Sequence, residues 1–273
     1  NDIEDIFRII RCHRNVILEG PPGVGKTHFY KQLVESGDFD QCELVTFNPA
    51  TENTDFIGGL TPKEHTAGGL TFEGKEGIFV RMLKASMDHK VLLWIDEVNR
   101  GNVAKIFGEF VGLLGTDKPY DISIKNIGLT NDVLQSSDYN LDNLYVVGTL
   151  NTADQSISTL DLAIRRRFKF VRMYPDFSIL ESPSLGVHCS DPSKVLALPR
   201  INDILNEYGS DAVLGHSYLY ELEQAYEIDP ALTTSVWEYS VLPNLIEILM
   251  REQITIEHQS DINKELAHLG FKI

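Results

Sequence analysis

The run Gly20-Pro21-Pro22-Gly23-Val24-Gly25-Lys26-Thr27 satisfies the spacing G-x-x-x-x-G-K-[ST]. Residues of these types can hold polyphosphate. The glycines let backbone N–H groups turn toward phosphate oxygens, and a helix opening at Lys26 adds positive potential. Lys26 reaches the β- and γ-phosphates, and the Thr27 hydroxyl ligates Mg²⁺. His28, the next residue, completes the candidate nucleotide-contacting set. A second cluster, Leu92-Leu93-Trp94-Ile95-Asp96-Glu97, is an apolar run ending in two acids. Alone, such a pair is commonly a solvated turn. Downstream of a phosphate loop, with a helix and a strand between, it supplies what hydrolysis needs: Asp96 to bind Mg²⁺ and Glu97 to polarise the attacking water. A third apolar run, Leu144 to Leu150, ends in the amide Asn151, placed to orient water against a γ-phosphate if ligands bind at the carboxyl ends of the strands. Arg165-Arg166-Arg167 closes the next helical stretch. Three arginines there can be a solvated helix end favoured by the dipole, or cations that stabilise transferring phosphoryl charge from a neighbouring subunit.

These residues need a scaffold, and the pattern between them predicts one. Apolar residues at helical spacing predict helices over Asp2–Cys12, Lys26–Glu35, Ile78–His89, Val103–Leu114 and Ile157–Arg166. Strands are expected at Asn15–Glu19, Leu44–Phe47, Val91–Ile95, Leu144–Leu150 and Phe168–Met173. Strands alternating with helices imply a parallel sheet covered on both faces. Asp55 to Gly77 reads as a loop or small hairpin, and Thr116 to Asn143 as a polar insertion. Beyond Pro175 the alternation stops: Ser182–Ser193 reads as a loop. Ile201–Tyr208, Ser217–Tyr226, Thr234–Met250 and Asp261–Leu269 read as helices without strands between them. The expected division is an α/β domain over 1–175, with insertions at about 55–77 and 116–143, and a helical domain over 176–273.

Composition excludes several classes. A chain of 273 residues, 42% hydrophobic and 23% charged, has globular rather than disordered or low-complexity character. Its net charge of −16 repels phosphate backbones on average, so any contact with DNA needs a local basic patch or another polypeptide. Cys12, Cys42 and Cys189 are far apart and lack C-x-x-C spacing, which encodes neither a disulfide framework nor a zinc knuckle. The eight histidines show no metal-ligand spacing. The apolar runs are far below the roughly 20 residues of a membrane span, and no signal peptide is visible. A reducing cytoplasm is the expected location. Because the chain opens on Asn1, it reads as a piece of a longer protein.

The motifs taken in order resemble AAA+ motors of the McrB type, the GTP-driven subunits of modification-dependent restriction systems. The specific elements are Ile95-Asp96-Glu97-Val98-Asn99-Arg100-Gly101-Asn102, Gly148-Thr149-Leu150-Asn151-Thr152-Ala153-Asp154, and Leu160-Asp161-Leu162-Ala163-Ile164-Arg165-Arg166-Arg167-Phe168. Asp55-Phe56-Ile57-Gly58-Gly59, Phe107-Gly108-Glu109 and Gly215-His216-Ser217-Tyr218 extend it over most of the chain. The resemblance implies an αβα nucleotide-binding domain with a five-stranded parallel sheet, a helical lid, and a nucleotide-dependent ring, hexameric, with nucleotide between subunits. It implies that Asn151 and Asp154 act in hydrolysis, that Arg166 and Arg167 are trans-acting fingers, and that His216 is a lid contact to nucleotide. GTP with Mg²⁺ is the implied substrate, ATP the alternative. The implied partners are a McrC-like nuclease subunit and, through a separate domain or polypeptide, DNA; no membrane is involved. One departure stands out. Gln155 replaces the arginine that usually follows Asn-Thr-Ala-Asp, removing a fixed charge near the phosphates. An ATP-dependent MoxR-like remodelling factor and a slow, nucleotide-gated scaffold are the competing readings.

Overall fold

The residues Val91 to Ile95 are all buried, the pattern of a strand covered on both faces. They sit near the middle of a sheet in a computed structural model that describes residues 3–65, 69–115, 120–123, 133–153, 160–181 and 192–273. Contacts divide the chain into two units, Asn1–Glu19 with Thr27–Arg172, and Gly20–Lys26 with Met173–Ile273.

The first unit runs α1 (Ile3–His13), β1 (Asn15–Gly20), α2 (Lys26–Glu35), β2 (Gln41–Thr46), a one-turn α3 (Asn53–Phe56), the antiparallel hairpin β3 (Gly58–His65) and β4 (Gly69–Glu76), and α4 (Ile78–Ala85). Then come β5 (Val91–Asp96), α5 (Val103–Phe107), the short pair β6 (Ile122–Ser123) and β7 (Val133–Leu134), β8 (Leu144–Asn151), α6 (Leu162–Arg165) and β9 (Lys169–Arg172). Five strands form a parallel sheet in the order β2-β5-β8-β1-β9. The register sets Val91 against Leu144, Ile95 against Gly148 and Val16 against Lys169. Strand β2 lies at the edge and shows it: Gln41, Glu43, Leu44 and Thr46 are exposed. One core cluster joins sheet and helices, and within it Phe47, Phe56, Phe79 and Phe107 pack with ring centroids 4.7 to 6.5 Å apart. Residues 55–77, expected as a loop or small hairpin, contain the hairpin β3–β4.

Several expected boundaries move for identifiable reasons. The helix expected over Val103–Leu114 stops at Phe107. Gly108 takes φ 53°, and Gly108–Gly115 continues as 3₁₀ helix. A positive φ breaks the α-helical ladder, and the tighter winding resumes beyond it. Apolar side chains still face the core there, so periodicity alone does not reveal the change. Of the helix expected at Ile157–Arg166, the described part is Leu162–Arg165, capped by the Asp161 carboxylate accepting from the Ile164 N–H at 2.8 Å. Most of the loop expected over Ser182–Ser193 lies outside the described residues.

The described part of the second unit, after Met173, contains helices and no strand: α7 (Pro192–Leu205), α8 (Ser217–Ile228), α9 (Leu232–Val236), α10 (Leu242–Arg251) and α11 (Ile256–Ala267). Helix α7 starts nine residues before the expected Ile201, and Pro199 lies inside it. A π-helical turn, Trp237–Val241, joins α9 to α10, so the stretch expected as one helix is continuous but locally widened. Trp237, Leu219, Leu245 and Ile262 are fully buried in its core. Among the described residues no helix is long and apolar enough to cross a membrane.

Candidate functional site

Because all five strands of the sheet run the same way, their carboxyl ends gather on one edge, the edge where ligands bind in open α/β sheets. Strand β5 delivers Asp96 there and β8 delivers Asn151. Thr149 makes them one assembly. Its hydroxyl donates to Asp96 Oδ1 and accepts from the Glu97 N–H at 3.1 Å, and the residue is buried. Gly148, the residue before it, is required by close approach: a Cβ there would stand 2.6 Å from Val98 Cγ2. The turn carrying Glu97 therefore presses directly on β8. Asn99, also buried, donates from Nδ2 to the Asn151 carbonyl at 3.3 Å, and Asn151 Oδ1 accepts from the Ala153 N–H at 3.1 Å.

Glu97 itself has φ 55° and ψ 46°. This is the left-handed region, which L-residues other than glycine enter at a cost of roughly 1–3 kcal/mol. Its Oε2 is buried, without an aligned hydrogen bond, and stands 3.3 Å from Arg100 Nε as an ion pair. Backbone strain at Glu97, with its N–H held by Thr149 and its carboxylate facing Arg100, is how a base can be positioned. Thr149, Asn99 and Arg100 lie within the quoted motifs, but the sequence alone assigns them no role. A hydroxyl inside the otherwise apolar run Tyr145–Leu150 is the available signal for the first.

The phosphate loop follows β1. Gly23 and Gly25 take φ 76° and 78°, which only glycine adopts freely. These conformations turn backbone N–H groups to one side as anion-binding loops do. Lys26 Nζ donates to the carbonyls of Gly20 at 2.6 Å and Pro21 at 2.8 Å. Val24 is buried, and Pro22, Thr27 and His28 are accessible at the surface. Within the second unit the loop meets Gly215-His216-Ser217. The Ser217 N–H donates to the Gly23 carbonyl at 2.9 Å, and a Cβ on Gly215 would lie 2.4 Å from the Pro22 carbonyl oxygen. Gly215 is thus fixed by backbone against backbone. The His216 ring comes within van der Waals reach of Gly25, Nε2 lying 3.5 Å from the position a Cβ would take. His216 Nδ1 accepts the Asp176 N–H at 3.0 Å, so the neutral ring carries its proton on Nε2. Hydrogen bonds from Ser178, and the nearby His216, hold the Asp176 carboxyl below its usual range. Burial pushes the Tyr218 hydroxyl up to about 12.

Arg166 and Arg167 are not at this edge. They precede β9 and lie beside the amino ends of the strands, so the sheet places them opposite Asp96 and Asn151. Arg166 is exposed, while Arg167 is half-buried and donates from Nη1 to the Ala163 carbonyl at 2.7 Å. Asp154 and Gln155 lie outside the described residues.

The donor set fits Mg²⁺. Among the described residues no group of three or more His, Cys, Asp and Glu side chains is arranged around a metal. A hydroxyl at Thr27 and a carboxylate at Asp96 match a hard cation that takes its remaining ligands from water and substrate phosphates.

A family model described as an AAA domain of the dynein-related subfamily matches residues 15–168. The chain is 33% identical over 233 residues to the type IV methyl-directed restriction enzyme EcoKMcrB subunit of Escherichia coli (strain K12), covering 79% of this chain and 49% of that protein. It is 24% identical over 291 residues to the type II restriction enzyme BsuMI component YdiS of Bacillus subtilis (strain 168), covering 91% and 81%. Midasin of Giardia intestinalis is 27% identical over 169 residues, covering 51% of this chain and 3% of that one. The chain therefore spans about half the length of the Escherichia coli relative.

Proposed function

Since the chain belongs to the AAA domains of the dynein-related subfamily, a P-loop nucleoside triphosphatase family that binds nucleotide with Mg²⁺, we propose that it hydrolyses GTP in a nucleotide-dependent ring and thereby drives or loads a partner nuclease in DNA restriction. The likeness to two restriction-enzyme components, one over 91% of this chain, supports the restriction setting. GTP rather than ATP, a hexameric ring and a McrC-like nuclease rest on the McrB-type resemblance. The proposed division is an α/β domain ending near Pro175 and a helical lid after it.

The observation that carries the enzymatic part is the Thr149 bridge, which locks Asp96 and the strained Glu97 into one unit at the sheet's ligand edge. In this reading Thr27 and Asp96 hold Mg²⁺, which when bound neutralises charge on the β- and γ-phosphates. Glu97 takes the proton of a water that attacks the γ-phosphorus in line. The bond to the β,γ-bridging oxygen breaks, and nucleoside diphosphate and phosphate leave. Asn151 and Asp154 orient that water. Gly20 to Thr27 with His28 cradle the phosphates, Lys26 exchanging its two carbonyl partners for phosphate oxygens, and His216 Nε2–H donates from the lid. Arg166 and Arg167 act on nucleotide held by the next subunit, which agrees with their place beside the amino ends of the strands.

The deciding experiment compares GTP with ATP turnover by the chain and by Lys26→Ala. Mg²⁺-dependent GTP hydrolysis lost in Lys26→Ala is the expected result. Preferential ATP turnover would replace the base assignment and favour a remodelling factor. Unchanged nucleotide affinity in Lys26→Ala would remove the phosphate-loop assignment itself.

A further inference from the structure

Helix α9, the π-helical turn and α10 run without a break from Leu232 to Arg251. One face of this long helix builds the core of the second unit, where Trp237, Val241, Leu245 and Ile248 are buried. In a helix that packs on one side only, the opposite face is polar. Here it is apolar. Tyr239, Pro243, Ile246 and Met250 follow one another at spacings of four, three and four residues, and all are exposed, Tyr239 to 73% and Met250 to 76%. At about 100° per residue, and somewhat less through the π-helical turn, the four fall in one stripe roughly opposite the buried set. Single exposed apolar side chains are ordinary, whereas a contiguous stripe marks an interaction surface. Its spacing is that of a seam into which a second helix packs its own apolar residues. It covers three turns, about 16 Å at 1.5 Å per residue.

The charge around the stripe is one-sided. The stretch from Ile201 to Met250 contains nine aspartates and glutamates and no lysine or arginine. Glu238 and Glu247 are exposed and, by the same helical geometry, border the stripe on its two sides. Glu221 of α8 joins Glu247 near the Tyr218 hydroxyl, whose ionisation is opposed by burial and by both acids. Lys194 and Arg251 meet this helix at its two ends, and both are engaged. Lys194 Nζ donates to the hydroxyls of Thr233 at 2.7 Å and Thr234 at 3.0 Å. Arg251 pairs with Glu252 at 2.6 Å and donates to the Asp211 carbonyl at 3.0 Å.

We infer that this face docks a basic amphipathic helix of another polypeptide, its apolar residues seated along Tyr239, Pro243, Ile246 and Met250 and its lysines or arginines meeting Glu238 and Glu247. Charge selects this occupant. A second copy of this chain arriving by the same face would set acids against acids, and nucleic acid or an anionic membrane would be repelled. The surface lies within the second unit and needs no nucleotide, so it stands apart from the proposed hydrolysis.

The probe is a labelled three-heptad peptide with leucine at positions a and d and lysine at e and g, its binding to the full chain followed by fluorescence anisotropy. A saturable isotherm is expected, with a scrambled peptide of the same composition binding about tenfold or more weakly. Tyr239→Ser with Met250→Ser, both exposed and away from the core, should weaken the peptide by about tenfold or more, and so should Glu238→Lys with Glu247→Lys. Either pair decides, should the other lower the melting temperature. Glu35→Lys with Asp88→Lys, exposed acids of the first unit, changes the net charge equally and should alter binding by about twofold at most. Binding that does not saturate, equal binding of the scrambled peptide, or an equal loss with the Glu35/Asp88 pair overturns the site. Sedimentation without nucleotide gives a further check, because self-association of the unmodified chain that Tyr239→Ser with Met250→Ser abolishes would make the face a contact between copies instead. Co-flotation with phosphatidylglycerol vesicles, lost in the same pair, would likewise replace the helix by a membrane.

Discussion

The two edges of the central sheet carry opposite chemistry. At the carboxyl ends of β5 and β8 stand Asp96, Glu97, Thr149 and Asn151, the group that in the proposed reading holds a hard cation and a water. At the amino ends of β1, β8 and β9 stand Arg14, Lys169, Arg166 and Arg167 around a cavity. Strand β8 runs from one edge to the other over eight residues. At a rise of about 3.3 Å per residue, its ends are roughly 23 Å apart. No arginine side chain spans that distance. Parallel strands thus give a sheet two chemically different ends, and in the proposed reading the basic end of one copy meets nucleotide held by another. Such a contact is heterologous and closes into a ring if its rotation allows.

The largest expected effect tests the basic edge. Alanine at Arg166 or Arg167 should cut turnover by roughly 10³-fold or more while leaving the chain's own nucleotide affinity nearly intact. A purely structural role predicts lost folding or lost affinity, which thermal melting and equilibrium binding would reveal. At the acidic edge, Glu97→Gln should retain nucleotide and Mg²⁺ yet slow hydrolysis by about 10² to 10⁴-fold, because the amide keeps the shape and loses the base. Normal turnover in that variant would dismiss the carboxylate from the chemistry. Thr149→Val keeps volume and removes the bridge between Asp96 and the Glu97 N–H. It should cost about 10-fold or more in turnover, as losing a partner of a metal-binding carboxylate does, with a smaller change in melting temperature. Equal losses in both would make Thr149 a packing residue only.

How much of this is legible in the sequence differs between the edges. The acidic edge is legible because its residues lie in contiguous motifs and β5, buried on both faces, reads as one apolar run. Strand β2 is expected three residues late at its start, since an edge strand with Gln41 and Glu43 exposed lacks that signal. The basic edge is half legible: Arg166 and Arg167 form a visible run, whereas Arg14 is informative only through its φ and through partners 127 and 128 positions away. His216 stands out in the sequence, but the Asp176 N–H that fixes its tautomer is 40 residues distant. Gly108 alone could announce the end of the helix at Phe107.

The smallest expected effect is a control on the basic edge. Arg11, three residues before Arg14, already pairs with Asp38, and that hydrogen bond holds the Asp38 carboxyl below its usual range. A lowered folded-state value means stabilisation present above the unfolded carboxylate value of about 3.9 and lost as pH falls through the folded one. Arg11→Ala should therefore lower the melting temperature only slightly at pH 7, as is usual for an accessible pair, and the difference from the unmodified chain should vanish in strong acid.

Whether one copy's basic edge serves another copy's acidic edge is tested most directly by mixing. A chain with Arg166→Ala and Arg167→Ala, and a chain with Glu97→Gln, are each expected to be inactive alone. In a mixed assembly some interfaces pair an intact Glu97 with intact arginines from the neighbour, so GTP hydrolysis should partly recover on mixing. No recovery, with co-assembly demonstrated by sedimentation of differently labelled chains, would contradict action between copies.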